Sequence, residues 1–136
     1  MPMRTYHGSC YCKRVEFEAD IDLAEGTGKC NCTSCWKRRW WSVRARPEGF
    51  RLKGGETELS RYREGSDVGH GGFCKHCGVI PYAYADKAEW NPSAYWAVNV
   101  TCLDDLDPAD LMAAPIRFMD GLHDDWWHVP AETRHL

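Results

Sequence analysis

Seven of the eight cysteines fall into three tight clusters, Cys10-Tyr11-Cys12, Cys30-Asn31-Cys32-Thr33-Ser34-Cys35 and Cys74-Lys75-His76-Cys77, while Cys102 stands alone. Thiolates at such spacings are metal ligands, and zinc takes four of them in a tetrahedron when its role is structural. The two residues between Cys74 and Cys77 let the backbone curl so that both sulfurs reach one ion, and Gly78 suits the left-handed conformation such a turn needs. The single spacer between Cys10 and Cys12 leaves both side chains on the same side of an extended segment. Joined, these two pairs give four thiolates, a closed site that clips residue 10 to residue 77. Cys30, Cys32 and Cys35 remain, and three protein ligands with an open position are the pattern of a catalytic zinc. Three thiolates outweigh the dication's charge, so such a site favours a soft incoming thiolate over water activation. The bland alternative closes the second site with Cys102 or a histidine and leaves both metals structural.

Cys102 follows Val98 and Val100 on one alternating face, which predicts a buried, unligated thiol. His76 lies between two ligands and is expected to point away from them as an exposed knuckle residue. Lys37, Arg38 and Arg39 form a basic run behind the open cluster. They are candidates for binding a substrate carboxylate, with a solvated helix face as the alternative. His123, in the tail Asp120-Gly121-Leu122-His123-Asp124-Asp125-Trp126-Trp127-His128, is a candidate proton shuttle, since imidazole titrates near neutrality. Trp126 and Trp127 are expected to pack against the sheet rather than wall a pocket. The Gly69-His70-Gly71-Gly72 run has no following helix or lysine in register, so it is read as a turn and not a phosphate loop.

The elements that position these groups read as short strands. Val15, Phe17 and Ala19 alternate with polar residues, as do Trp41, Val43 and Ala45. Phe50 and Leu52 precede Gly54-Gly55, and Leu59 and Tyr62 follow. Ala94, Trp96, Val98, Val100 and Cys102 predict one long strand face. Thr33 or Ser34 is expected to cap a short helix through Trp36 to Arg38, and Asp107-Pro108 to open another over residues 109–112. The chain of 136 residues is expected to form one domain over 1–136, mainly β with short antiparallel strands and one or two short helices. A net charge of -3 with mixed signs gives no reason to expect nucleic acid or an anionic membrane as partner. There is no apolar run near the ~20 residues needed to span a bilayer, and residues 1–8 carry no export signature. A cytoplasmic location follows as the expectation, and with it metal ligands rather than a disulfide framework.

The motifs Gly8-Ser9-Cys10-Tyr11-Cys12, Cys30-Asn31-Cys32-Thr33-Ser34-Cys35 with Lys37-Arg38 behind it, and Phe73-Cys74-Lys75-His76-Cys77-Gly78, with the acidic-aromatic ending, resemble the glutathione-dependent formaldehyde-activating enzymes. That family also includes the centromere protein V-like zinc proteins. The resemblance implies a zinc-containing β-tent fold, a structural zinc on Cys10, Cys12, Cys74 and Cys77, and a catalytic zinc on Cys30, Cys32 and Cys35. It implies a carbon-sulfur lyase-type activity on a small thiol such as glutathione and an aldehyde such as formaldehyde. Asn31 stands where the family often has histidine, and Trp36, Trp40 and Trp41 make the segment after the open site bulky. The rival reading is a binding module in which both zincs only hold the fold and partners dock on the tryptophan-rich surface.

Overall fold

The computed structural model describes residues 3–63 and 69–136, apart from the side chains of residues 62, 63 and 69–71, so the side chain of Tyr62 lies outside what is described. In chain order the strands are β1 (Arg4–Ser9), β2 (Glu16–Ile21), β3 (Thr27–Cys30), β4 (Trp41–Ala45), β5 (Phe50–Gly54), β6 (Leu59–Arg63), β7 (Gly69–Cys74), β8 (Tyr82–Ala85), β9 (Tyr95–Asn99) and β10 (Ile116–Met119). The helices are α1 (Thr33–Arg38) and α2 (Pro108–Ala113). The architecture is mainly β with two short helices, as the alternating pattern predicts. Among the described residues no helix is long and apolar enough to cross a membrane.

Two sheets face one another. One is three-stranded in the order β1-β2-β5, the other seven-stranded in the order β10-β3-β4-β9-β8-β7-β6. Every ladder is antiparallel except β10 with β3, which is parallel and places Met119 opposite Cys30. The core lies where the inward faces meet. Phe17, Ala19 and Ile21 are the alternate, buried residues of β2, and Val43, Ala45 and Val98 answer them from the larger sheet. Phe17 stacks on Phe50 at 5.4 Å and meets the edge of Tyr82 at 5.6 Å, so aromatic contacts bridge the sheets.

Two stretches differ from the pattern reading. The expected long strand over 94–102 ends at Asn99, whose side chain accepts from the Thr101 amide and turns residues 100–102 into a 3-10 turn. Val100 and Cys102 remain buried on it. The glycine run at 69–72 is not a turn but the first part of β7, paired to β6 and β8. Two flanking strands satisfy its backbone groups and override the weak strand preference of glycine. Asp107 caps α2 as expected, accepting from the Ala109 amide at 2.9 Å.

Gly55 marks the tightest backbone approach. It has φ +83, and a Cβ there would lie 1.9 Å from the Arg14 carbonyl oxygen, whereas nothing lies within 4 Å of a Cβ at Gly54. Gly55→Ala is therefore expected to destabilise the fold by at least ~2 kcal/mol and Gly54→Ala by under ~1 kcal/mol, read from denaturant midpoints of the metal-loaded proteins. Equal midpoints for the two variants would show that the approach is not needed.

Candidate metal centre

The first pair of cysteines sits in the hairpin between β1 and β2. The Lys13 amide donates to the Cys10 carbonyl and the Cys10 amide to the Val15 carbonyl, with Lys13 at φ 65 completing the turn. The other pair sits where β7 leaves for β8. There the Gly78 amide donates to the Cys74 carbonyl at 2.7 Å and Gly78 adopts φ 79, the left-handed geometry expected of it. The hairpin and the knuckle bring Cys10, Cys12, Cys74 and Cys77 together, all four sulfurs lying within 4.8 Å of one another. His76 faces away, its Nε2 on Glu58 at 2.8 Å.

The second cluster is local. Cys30 ends β3, Cys32 precedes α1, and Cys35 lies in its first turn, with the three sulfurs again within 4.8 Å of one another. The helix cap is Cys32 rather than Thr33 or Ser34, because its sulfur accepts from the Cys35 amide at 3.4 Å. A thiolate thus takes the role usually given to a hydroxyl. Hydrogen bonds from Cys30 and then Cys35 drive the Cys32 thiol far down, while those with Cys30 and then Cys32 push Cys35 far up. Among the described residues no histidine or carboxylate joins these three in a ligand group.

Asn31 is buried between two of these cysteines and acts as a clasp. Its Nδ2 donates to Asp120 Oδ1 at 2.8 Å, and its Oδ1 accepts from the Leu122 amide at 3.0 Å. This fixes Gly121 against the cluster, where a Cβ would lie 2.6 Å from Cys30 Sγ and 3.3 Å from Trp126 Nε1. Any larger residue would push into the sulfurs. Asp120 also accepts from His123 Nδ1 at 2.9 Å. Its carboxyl is held below the usual range, first by Asn31 and further by His123.

A cavity of about 350 Å³ opens beside the cluster, lined by Cys30, Cys35, Trp36, Trp40 and Trp41 among others. The cations on its wall are Lys29 and Arg39. Lys37 and Arg38, on the last turn of α1, are not among its lining residues, and Arg38 donates to Ser34 Oγ. Lys29 Nζ sits 4.3 Å over the Trp41 ring and donates to the Leu136 carbonyl, while Arg39 donates to the His135 carbonyl. Trp126 and Trp127 are exposed rather than packed on the sheet. The 120–125 segment closes on itself through the Asp120–Asp125 bridge, which carries them outward. His123 is exposed, with 71% of its side chain accessible. Sequence reasoning missed Lys29, Gly121 and the Asn31–Asp120 clasp. Only the Asp-Gly pair at 120–121 hinted at a tight turn there.

The donor sets fit zinc. Thiolates about 2.3 Å from a tetrahedral ion stand about 3.8 Å apart. Cys10 and Cys12 sulfurs, and Cys12 and Cys74 sulfurs, are 3.6 Å apart, and all eight cysteines are free thiols. Burial pushes Cys10 up to about 11, while the Arg14 amide and side chain draw Cys12 down to about 6. A dication relieves the conflict among crowded sulfurs that cannot all ionise alone. Cys102 belongs to neither group, and burial pushes its thiol up to about 12. Cys102→Ala is expected to keep the full metal content of the purified protein, whereas Cys74→Ser yields unfolded or aggregated chain. Mass spectrometry under native conditions reads the first and circular dichroism the second. A metal lost from Cys102→Ala would contradict the grouping.

Comparison with known proteins agrees with this geometry. No curated protein sequence matches the chain. A solved structure, a Rhodobacter sphaeroides protein determined as a structural-genomics target, superposes with a TM-score of 0.66 at 29% identity, covering 81% of this chain and 98% of that one. The model of the glutathione-dependent formaldehyde-activating enzymes matches residues 5–117, a span that contains both cysteine clusters. Carrying that match over most of its length, the chain belongs to the glutathione-dependent formaldehyde-activating enzyme family.

Proposed function

We propose that the protein holds two zinc ions, one on Cys10, Cys12, Cys74 and Cys77 as a crosslink and one on Cys30, Cys32 and Cys35 with a position open to substrate. At the second site it joins or cleaves a small thiol of the glutathione type and an aldehyde such as formaldehyde, as a carbon-sulfur lyase. The observation that carries this reading is the three-sulfur group, which has no fourth described ligand and borders a cavity walled by tryptophans and two cations. Zinc bound there supplies a dication that keeps an incoming thiol in its thiolate form.

The chain's own residues supply the rest. Lys29 and Arg39 offer positive charge to the carboxylates of the thiol substrate, in place of the backbone carbonyls they now hold. Lys37 and Arg38 add to the field from the exposed end of α1. Trp36, Trp40 and Trp41 narrow the cavity and limit water. In the joining direction the thiol sulfur attacks the carbonyl carbon and the carbon-sulfur bond forms. The carbonyl π pair moves to oxygen, which takes the proton the thiol gave up. His123, oriented through Nδ1 by Asp120, is the residue we assign to carry that proton. The eight free thiols suit a reducing compartment such as the cytosol.

The two sites should separate under a chelator. The ligands of the second site span six residues and close no long loop, so its metal should leave first, with the thermal melt little changed. Loss of the first site should follow with global unfolding. Simultaneous loss of both metals with unfolding would falsify the division of roles.

Activity is tested with carbon-13 formaldehyde and a thiol panel, following adduct exchange by NMR. The zinc-loaded protein is expected to accelerate exchange with glutathione, and Cys35→Ser to abolish the acceleration while remaining folded. Lys29→Met should raise KM for glutathione by about tenfold and leave mercaptoethanol, which lacks carboxylates, unchanged. Exchange no faster than in protein-free buffer would leave both metals structural.

A further inference from the structure

A second cavity lies away from the thiol cluster and shares no lining residue with the first. Its volume is about 420 Å³, within the range of small-molecule sites. Its wall includes Tyr82 and Tyr84 from β8, Trp96 from β9, Gly72 from β7, and Leu59 and Arg61 from β6. Register explains the grouping. Tyr84 lies opposite Trp96, Tyr82 opposite Val98, and Arg61 opposite Gly72. Aromatic rings and one guanidinium therefore share the face that looks onto the cavity.

The rings are held in place. Trp96 stacks on Phe50 at 4.2 Å, with Tyr84 at 4.8 Å and Tyr82 at 5.6 Å meeting it edge-on. A glycine inside a strand marks a place of close approach, and here Gly72 leaves the floor without a side chain. Nothing in the packing requires glycine there, because a Cβ would meet no atom closer than 3.4 Å.

Tyr82 is only 5% exposed, and its hydroxyl is the one buried side-chain polar atom among the described residues without a hydrogen-bond partner. Burial pushes its phenol up to about 12, so it stays a neutral donor. Shut off from solvent, this hydroxyl lies behind the aromatic wall, where it lowers stability for want of an acceptor and is not offered to the cavity. The sign of the charge narrows the ligand. Among the described residues Arg61 is held by a single long contact of 3.4 Å to Glu56, both side chains being more than half exposed. A cation would be repelled by Arg61, whereas an anion can replace so weak a surface pair.

We propose that this cavity binds a planar aromatic carboxylate, its ring against Trp96 and Tyr84 and its charge met by Arg61. The floor at Gly72 provides the room. The site is independent of the thiol chemistry and stands or falls without it.

The test titrates the zinc-loaded full chain with naphthoate by calorimetry. Decalin carboxylate and naphthylmethylammonium serve as the saturated and cationic comparators. Naphthoate is expected to saturate one site, with both comparators at least about tenfold weaker. Gly72→Val should remove binding by filling the floor while keeping zinc content and circular dichroism. Arg61→Met should weaken naphthoate by about tenfold at unchanged zinc content, whereas Tyr82→Phe, which deletes only the shut-off hydroxyl, should leave naphthoate affinity unchanged. The proposal is overturned if Gly72→Val, properly folded, still binds naphthoate, or if the saturated or cationic comparator binds as well. It is equally overturned if Arg61→Met, properly folded, binds naphthoate as tightly as the unaltered chain, or if Trp36→Ala abolishes binding and so moves the site to the other cavity.

Discussion

Cys12 and Cys74 sulfurs approach to 3.6 Å across 62 residues of sequence, and the arrangement of the two sheets depends on that approach. Cys12 belongs to the hairpin of the small sheet, and Cys74 ends a strand of the large one. An ion held between them would offset the loop-closure entropy that a chain this small must otherwise overcome with apolar burial alone. The core between the sheets is modest, a layer of aliphatic residues and the Phe17–Phe50–Tyr82 rings. Such a core packs well only if the sheets are already held at the right separation.

The second cluster obeys the opposite rule. Its three sulfurs come from one β3-to-α1 junction and need nothing distant to assemble. What comes from far away is the wall around them. The parallel ladder of β10 on β3 brings the chain back beside Cys30, and the Asn31 clasp then presses residues 120–122 onto the sulfurs. Assembly of ligands is local, and shaping of the space beside them is not. That split separates a group able to hold a metal, which depends on a few neighbouring residues, from the surface beside it, which depends on distant ones.

The same split decides what could be read from the sequence. The clusters, the knuckle glycine Gly78, the α2 cap at Asp107 and the inward faces of β2 and β4 follow from spacing and period alone. These are local physics, written within a few residues. The glycine run of β7 was illegible because strand pairing on both sides, not propensity, sets it. Cys32 displaced the expected hydroxyl cap because a sulfur fixed by its neighbours was already in position to accept. Lys29 and Gly121 owe their place to contacts across long stretches of chain. No pattern within reach of either residue announces such contacts, and the basic run at 37–39 drew attention to the exposed turn instead.

The family match ends at residue 117, yet the wall over the thiols begins only at Asp120. The segment that sets Gly121 against Cys30 Sγ therefore falls beyond the matched residues. Substitutions there can change what covers the sulfurs while leaving the sulfurs themselves and the sheets untouched. The protein is built like a tool with a fixed shank and an exchangeable tip. Selection has a short, surface-lying stretch to work on, within which Gly121, wedged against sulfur, and Asp120, clasped by Asn31, resist change.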